Sequence, residues 1–436
     1  MQQSLGQTAR KDILRVNNFG KHIMQTSKTN KQNKVSAKNE IRRRLVLRAL
    51  LDFGPLSLTD LAKKTGMTLP VVSIIASSLK KSKLLVEGAN GTGSQVGRPP
   101  SIVMLNAGAG FIVGVDIGRL STNFVVLDLG TNIVAEARRK SITLGNDIRV
   151  LDDLEKEIRN VLNEAKASWD KVLGVGISLP GMVRGKQGLG ETYFNFGEKP
   201  VTELLSKRLR KPVHLEHDLE AMAFGERWFG AAKDVENAIC VNVGWGLGVG
   251  IIIDGKVYFG QDGYAGEFGH IQIVKSGELC YCGKRGCLET VASGKAVTRI
   301  AKEKIAAGAK SMITQEFGVK VDEIDAETVL KAASRGDEFS IEILDEAAKY
   351  LGSGIAVLIN LLNPAMVIFG GGVFTAAPYL SETARVSALK HSLVPLSRDV
   401  QFVTSSLGSK AGALGAAAYL AEDLFDVERL NPSAYV

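Results

Sequence analysis

The stretch Gly266-Glu267-Phe268-Gly269-His270, a nine-residue spacer, and then Cys280-Tyr281-Cys282-Gly283-Lys284-Arg285-Gly286-Cys287-Leu288-Glu289 frames the reading of the whole chain. It brings one imidazole, His270, within reach of three thiols, Cys280, Cys282 and Cys287. That set and spacing match a closed tetrahedral zinc site, Zn2+ held by three thiolates and one histidine. Four protein ligands leave no position for an activated water, so the expected role is structural. Gly283 and Gly286 let the backbone fold around an ion. The fourth cysteine, Cys240, lies in the apolar run Ala238 to Val243 and is expected to be a buried, inert thiol. Four cysteines in 436 residues are too few for a disulfide scaffold.

On either side of this stretch the pattern is α/β. Ile112 to Ile117, Phe124 to Leu129 and Ile133 to Arg138 read as three strands joined by tight turns. The layout recurs at Ile239 to Val243, Val249 to Ile253 and Lys256 to Phe259. Each copy places a glycine loop after its first strand, Asp116-Ile117-Gly118 in one and Gly244-Trp245-Gly246-Leu247-Gly248 in the other. Long helices near 294–308, 337–362 and 409–424 then alternate with strands at Met366–Phe369 and Gln401–Thr404. A duplicated three-stranded unit followed by helices is the plan of an actin-like (ribonuclease H-like) fold with two lobes.

The N-terminal part reads differently. Residues 1–38 form a basic, polar segment with no sustained period, expected to be a mobile arm. Residues 39–106 read as a helix through Ile41 to Leu50, a short helix Asp60 to Lys64 capped by Ser57 or Thr59, and a turn at Thr65-Gly66-Met67. A third helix follows, capped by Thr68, with Pro70 in its first turn. Two strands, Leu84 to Glu87 and Ile102 to Leu105, close the unit. This is the order of a winged helix-turn-helix, an all-α core with a wing, in which the second helix of the pair offers its exposed side chains to base edges. Thr68, Leu69, Val72, Ser73 and Ser77 are the candidate readers, with Lys80 and Lys81 for phosphates. Arg98, ahead of Pro99-Pro100, is placed to enter a narrow A·T-rich minor groove.

Charge supports that division. Residues 1–100 carry 18 Lys and Arg against 5 Asp and Glu, a net of +13, leaving −5 for the rest of a chain whose total is +8. A cationic head on a mildly acidic body suits a polyanion-binding module, although a basic tail without a fixed target has the same charge. No apolar run is long enough to span a membrane and the N-terminus lacks a signal-peptide core, so a cytoplasmic protein without membrane insertion is expected.

The Glu-x-Gly-His and Cys-x-Cys-Gly spacings described first resemble the signature of the ROK family (repressors, open reading frames, sugar kinases). The resemblance covers about residues 111–420, within a sugar-binding domain read as 107–436, and, with the N-terminal module, extends to the family's xylose- and N-acetylglucosamine-type repressors. It implies a two-lobed sugar-kinase fold with a monosaccharide or sugar phosphate between the lobes and the zinc loop at 270–287. It implies sugar-hydroxyl contacts from Glu267, His270, Glu289 and Asp218, the last standing where the kinases keep their catalytic base. Asn195 matches a family asparagine only loosely, and His217 stands where the usual Glu-Asn-Asp run has its asparagine. The nucleotide side departs further. Asp116 and Gly118 are followed by Arg119-Leu120 where kinases have Gly-Thr, and Gly244 and Gly246 flank Trp245 where a small hydroxyl residue is usual. Gly371, in Gly370-Gly371-Gly372, resembles an adenosine-side glycine kept for packing.

The expectation is a sugar-responsive repressor, a homodimer or tetramer on operator DNA, that binds sugar without efficient phosphoryl transfer. Two alternatives stand beside it. One is an ATP-dependent sugar kinase; the other is a DNA-binding protein that senses a protein partner through its N-terminal arm.

Overall fold

Residues 30–88, 102–197 and 199–425 are described in the computed structural model, with side chains from Lys38 onward. The head begins with α1 (Asn30–Phe53), which starts nine residues before the expected Asn39, inside the segment read as an arm. The polar residues there hide no helix breaker, and tertiary packing of Ile41, Val46 and Leu50 anchors the helix downstream. The short β1 (Leu56–Ser57) leads into α2 (Leu58–Thr65), capped by Ser57 as expected, its hydroxyl accepting from the Asp60 N–H. Gly66, at φ 66°, ends α2 in the left-handed conformation that favours glycine.

Next comes α3 (Leu69–Lys81), whose N-cap Thr68 makes no side-chain capping bond. With β2 (Leu85–Glu87) and β3 (Ile102–Leu105), β1 forms a three-stranded sheet in the order β1-β3-β2. Residues 89–101, including Arg98, lie outside the described residues, as do residues 1–29 and 426–436. Leu61, Val72, Leu79, Leu85 and Val103 pack into the head's core. Val72 is 0% exposed, so it cannot touch a base; the helical period instead turns Ile74 outward, 71% exposed.

The first lobe opens with the antiparallel meander β4 (Phe111–Ile117), β5 (Ser121–Asp128) and β6 (Ile133–Lys140). After α4 (Val150–Glu164), β7 (Val172–Leu179) joins β4 in parallel. A small ribbon, β8 (Val183–Arg184) with β9 (Leu189–Gly190), and α5 (Val201–Leu209) precede β10 (Val213–His217), which extends the sheet to β10-β7-β4-β5-β6. α6 (Asp218–Phe229) follows directly and leads to the second lobe.

That lobe repeats the plan: β11 (Ala238–Val243), β12 (Leu247–Ile253) and β13 (Lys256–Val257) form the meander. The zinc-type loop and α7 (Glu289–Ala292), α8 (Gly294–Ala306), α9 (Ala326–Ser334) and α10 (Glu338–Leu362) come next. β14 (Met366–Gly370), α11 (Leu380–His391) and β15 (Gln401–Thr404) complete a sheet in the order β13-β12-β11-β14-β15. Two sheets with the same meander and the same pair of parallel additions make the body an actin-like fold.

The last helix, α12 (Ala411–Phe425), returns to the first lobe and lies on β4, β7, β10 and α6. Its closeness depends on missing side chains. A Cβ on Gly176 of β7 would stand 1.9 Å from the Ala416 carbonyl oxygen, and one on Gly415 would stand 1.6 Å from that of Ala221 in α6. α12 also packs against α1, so one helix touches both the head and the first lobe's sheet.

Candidate metal and ligand-binding site

Between β13 and α7 the chain folds into a knuckle. The Cys280 N–H donates to the Lys284 carbonyl at 2.7 Å and the Gly283 N–H to the Cys280 carbonyl at 2.9 Å. Gly286, at φ 77°, presses its Cα against the Val274 carbonyl, where a Cβ would stand 1.9 Å away. This backbone brings His270, Cys280, Cys282 and Cys287 together with their ligand atoms all within 4.8 Å of one another. His270 Nδ1 lies 3.6 Å from Cys280 Sγ, and Cys282 Sγ lies 3.6 Å from Cys287 Sγ. The edges of a zinc tetrahedron with Zn–S near 2.3 Å are about 3.6–3.8 Å, so the donor set fits. Backbone donation from Lys284 pulls the Cys282 thiol below its ordinary range, whereas burial lifts that of Cys280.

With Nδ1 turned to the thiols, His270 points Nε2 the other way, 3.0 Å from the Tyr281 hydroxyl and 3.7 Å from Glu267 Oε2. Glu289 is buried at the start of α7, and its Oε2 accepts the Leu247 N–H at 3.1 Å. Burial raises its carboxyl, partly offset by His270 and Lys295.

The facing groups come from the first lobe. Asp218 begins α6, with its side chain 28% exposed, accessible yet framed by protein. Its carboxyl is raised by burial, opposed by His217 and reinforced by the fields of Glu220 and of Glu267 from the other lobe. The carboxyls of Asp218 and Glu267 thus lie within electrostatic reach of each other. His217 Nε2 lies 3.2 Å from Asp218 Oδ1, while its Nδ1 contacts Glu220 on the next turn. Those acids hold the buried His217 imidazole up to about 9 against the opposing cost of burial. Glu220 had no place in the sequence reading; its signal was the i, i+3 spacing from His217 across the start of a helix. Tyr281 was also missed as a partner of His270, although it sits between two ligand cysteines.

Asn195 is placed differently. Its side-chain carbonyl accepts the Gly197 N–H at 3.1 Å and its amide donates to the Glu191 carbonyl at 3.1 Å, both within its own loop.

The two glycine loops expected on the nucleotide side lie at the ends of β4 and β11. Asp116, at the end of β4, accepts from Ser178 Oγ at 2.7 Å; burial lifts its carboxyl to about 6, with a further push from Asp218. The Gly118 N–H donates to the Ser121 carbonyl at 3.0 Å. Arg119 donates to the Tyr193 hydroxyl at 2.9 Å and carries its guanidinium 5.8 Å from the Trp245 ring, joining the two lobes. The carbonyls of Gly244 and Trp245 accept from the first residues of α8, Gly294 and Lys295. Gly371, at φ 91°, leaves its Cβ position against the Val243 carbonyl, a packing role in keeping with expectation.

In the head, Thr68, Leu69, Ser77 and Lys81 are exposed and Ser73 half-buried on α3. Lys80 pairs with Glu87 at 2.8 Å.

Residues 112–423 match the ROK family model. A putative xylose repressor from Caldicellulosiruptor sp. (strain Rt8B.4) is 30% identical over 392 residues, covering 88% of this chain and 96% of the relative. Among solved structures, a ROK family transcriptional regulator described as a homolog of the E. coli MLC protein superposes with a TM-score of 0.75 at 29% identity, over 90% of this chain and 98% of that one. A ROK family glucokinase from Streptomyces griseus, in complex with glucose and AMPPNP, superposes with a TM-score of 0.64 at 31% identity over 71% of this chain and 99% of its own. The glucokinase match leaves out about the length of the head, whereas the regulators match nearly end to end, and by all three findings the chain belongs to the ROK family.

Proposed function

We propose that this protein is a sugar-responsive transcriptional repressor that binds operator DNA through its head and a monosaccharide or sugar phosphate between its lobes. The observation that carries the reading is the asymmetry of the cleft. The groups suited to polyol hydroxyls gather around the zinc-type loop and the start of α6, whereas at the two glycine loops the Gly118 and Gly244 N–H groups are bonded within their own loops and Arg119 and Trp245 stand across the gap. Asp218, Glu267, Glu289 and His270 through Nε2 are the sugar contacts; carboxylates and an imidazole fix hydroxyls by directed hydrogen bonds. His217 sets the orientation of Asp218, and Asn195 shapes the cleft's rim. A zinc ion held by His270, Cys280, Cys282 and Cys287 would brace the loop and fix the orientation of His270.

On the DNA side, Thr68, Ser73 and Ser77 read the major groove with Ile74 in place of the buried Val72, Lys81 and Lys80 meet phosphates, and Arg98 serves the minor groove. Operator binding by a homodimer or tetramer follows from presenting two heads to a two-fold site. A kinase reading is favoured by one observation, the retention of Asp116 and Asp218. Against it stand the occupied Gly118 N–H and the Arg119–Trp245 bridge.

The test is calorimetry of the purified protein with D-xylose, D-glucose, N-acetyl-D-glucosamine and their phosphates, with and without ATP. It is paired with titration of a duplex selected from a random pool. Sugar binding that alters DNA affinity, with no ATP consumption, is expected. ATP turnover with any of these sugars, or DNA affinity indifferent to all of them, removes the reading.

A further inference from the structure

A run of charged and aromatic side chains connects the sugar side of the first lobe to the head. It begins with β10, whose last residues, Glu216 and His217, lead straight into Asp218. The Glu216 carboxylate is buried and its Oε1 accepts the His217 N–H at 3.1 Å. Gly185 leaves room for it, since a Cβ there would stand 2.5 Å from that same oxygen. Two residues back on β10, His214 places Nε2 3.6 Å from Glu216 Oε2, within ion-pair range but beyond a hydrogen bond, so that nitrogen is buried without a hydrogen-bonded partner. Its Nδ1 is 2.6 Å from Asp423 Oδ2 on α12. The His214 ring also stacks on Tyr419 of α12, centroids 5.3 Å apart and planes 13° apart, and Tyr419 in turn stacks on Phe224 of α6 at 3.8 Å.

The residue before Asp423 on α12, Glu422, receives Arg48 of α1 at 2.5 Å, and Arg48 is held from its own helix by Asp52 at 2.8 Å. The two flanking carboxylates keep His214 charged against its burial, up to about 9. The arrangement is loaded on one side: one hydrogen bond to α12 is made, and the one toward the sugar side is not.

Resting on the reading of the protein as a sugar-gated DNA binder, we propose that His214 is the positioning residue through which the sugar site acts on the head, by way of Glu216 on one side and Asp423, Glu422 and Arg48 on the other. A ligand that engages Asp218 shifts the end of β10 and with it Glu216. His214 then exchanges a long contact for a made bond, and its hold on α12 changes, moving the helix end that grips Arg48. A ligand can do this only through differential affinity for the two arrangements, so His214 belongs to the coupling between the sites and to neither affinity alone.

The test measures, in the full-length protein, operator affinity with and without the tightest-binding of D-xylose, D-glucose, N-acetyl-D-glucosamine and their phosphates. Coupling in natural proteins is on the order of 5- to 150-fold, and a wild-type ratio of at least about 10-fold is expected on that scale. His214→Phe keeps the ring stack and removes both nitrogens; the ratio falls below about 2-fold while sugar affinity stays within about threefold of wild type. Glu422→Gln, at a pair whose side chains are about one-third exposed and so tolerant of neutralisation, lowers the ratio in the same direction. The double variant adds nothing to His214→Phe.

A His214→Phe protein that binds both ligands and keeps the wild-type ratio overturns the route. So does a loss of ratio explained by a tenfold loss of sugar affinity. Should His214→Phe fail to fold, an unchanged ratio in Glu422→Gln overturns it instead. A wild-type ratio of 1 with every sugar is a different result, since it removes the sugar-gated reading itself.

Discussion

The two halves of the inter-lobe cleft have been treated oppositely by the sequence. On the sugar half, four potential metal ligands sit within 4.8 Å of one another and turn His270 Nε2 toward Glu267, across from Asp218. On the half that the proposed reading gives to phosphate, the Gly118 and Gly244 N–H groups are engaged within their own loops, and two large side chains, Arg119 and Trp245, meet across the gap. A binding site needs only to hold its ligand, whereas phosphoryl transfer needs donors left free for charge that develops in the reaction. On the proposed reading, the contrast separates recognition from catalysis within one fold.

The sharpest way to break the contrast is to remove a thiol. Cys287 is fully buried, and Cys287→Ser is expected to abolish metal content by elemental analysis and to weaken sugar binding more than about 100-fold by calorimetry. Full sugar affinity in a metal-free protein would detach the loop from the ligand. A smaller effect is expected from Asp218→Asn, which keeps the shape but loses a charged acceptor. Sugar affinity should fall about 30-fold, some 2 kcal/mol, in the range for hydrogen bonds to charged groups, with metal content unchanged. Normal sugar binding by the Asp218→Asn protein would take Asp218 out of the site.

Asp116 probes the phosphate half through stability. Its folded carboxyl titrates at about 6 against an ordinary 3.8, so the protonated form is favoured in the native state. Below about pH 3 folded and unfolded chains are both protonated there and the group costs nothing. As pH rises through about 6, the native state must bury a charge and that stability is lost. Asp116→Asn is expected to raise unfolding stability by about 1–2 kcal/mol at pH 7.5, discounted from the full shift because the Ser178 bond loses its charge assistance, and by about nothing at pH 3. Denaturant titrations at the two pH values check it; equal effects at both would show that the burial penalty is absent.

Much of this was legible from residues alone. The zinc-type loop was readable because ligand identity and spacing are local facts, and both meanders were readable because period-2 apolar runs with glycine turns are local as well. The head's order was readable from Ser57, Gly66 and Pro70, but its face was not. Val72 and Ile74 are both β-branched apolar residues, and only packing against Leu61 and Leu79 decides which is buried. The start of α1 at Asn30 was missed because its first turns carry polar residues with no apolar stripe. The partners of Arg48 and His214 lie 374 and 209 residues away, a separation no local pattern encodes.

The smallest expected effect bears most directly on the comparison. If the altered loops only obstruct nucleotide, restoring small residues in the double variant Arg119→Gly, Trp245→Thr should leave sugar affinity within about threefold, under about 0.7 kcal/mol. Arg119 and Trp245 contact each other and Tyr193, and no described hydrogen bond or ion pair ties either side chain to Asp218, Glu267 or Glu289. ATP turnover should also stay at background, because removing two side chains does not free the Gly118 N–H from the Ser121 carbonyl or the Gly244 N–H from the Gly246 carbonyl. Calorimetry with sugar and a coupled ATP-turnover assay give the two readings. A tenfold change in sugar affinity would mean that the bridge is part of the sugar site. The appearance of sugar-dependent ATP consumption would mean that two side chains alone separate sensor from kinase, and the backbone closure described above would then be a consequence of those side chains.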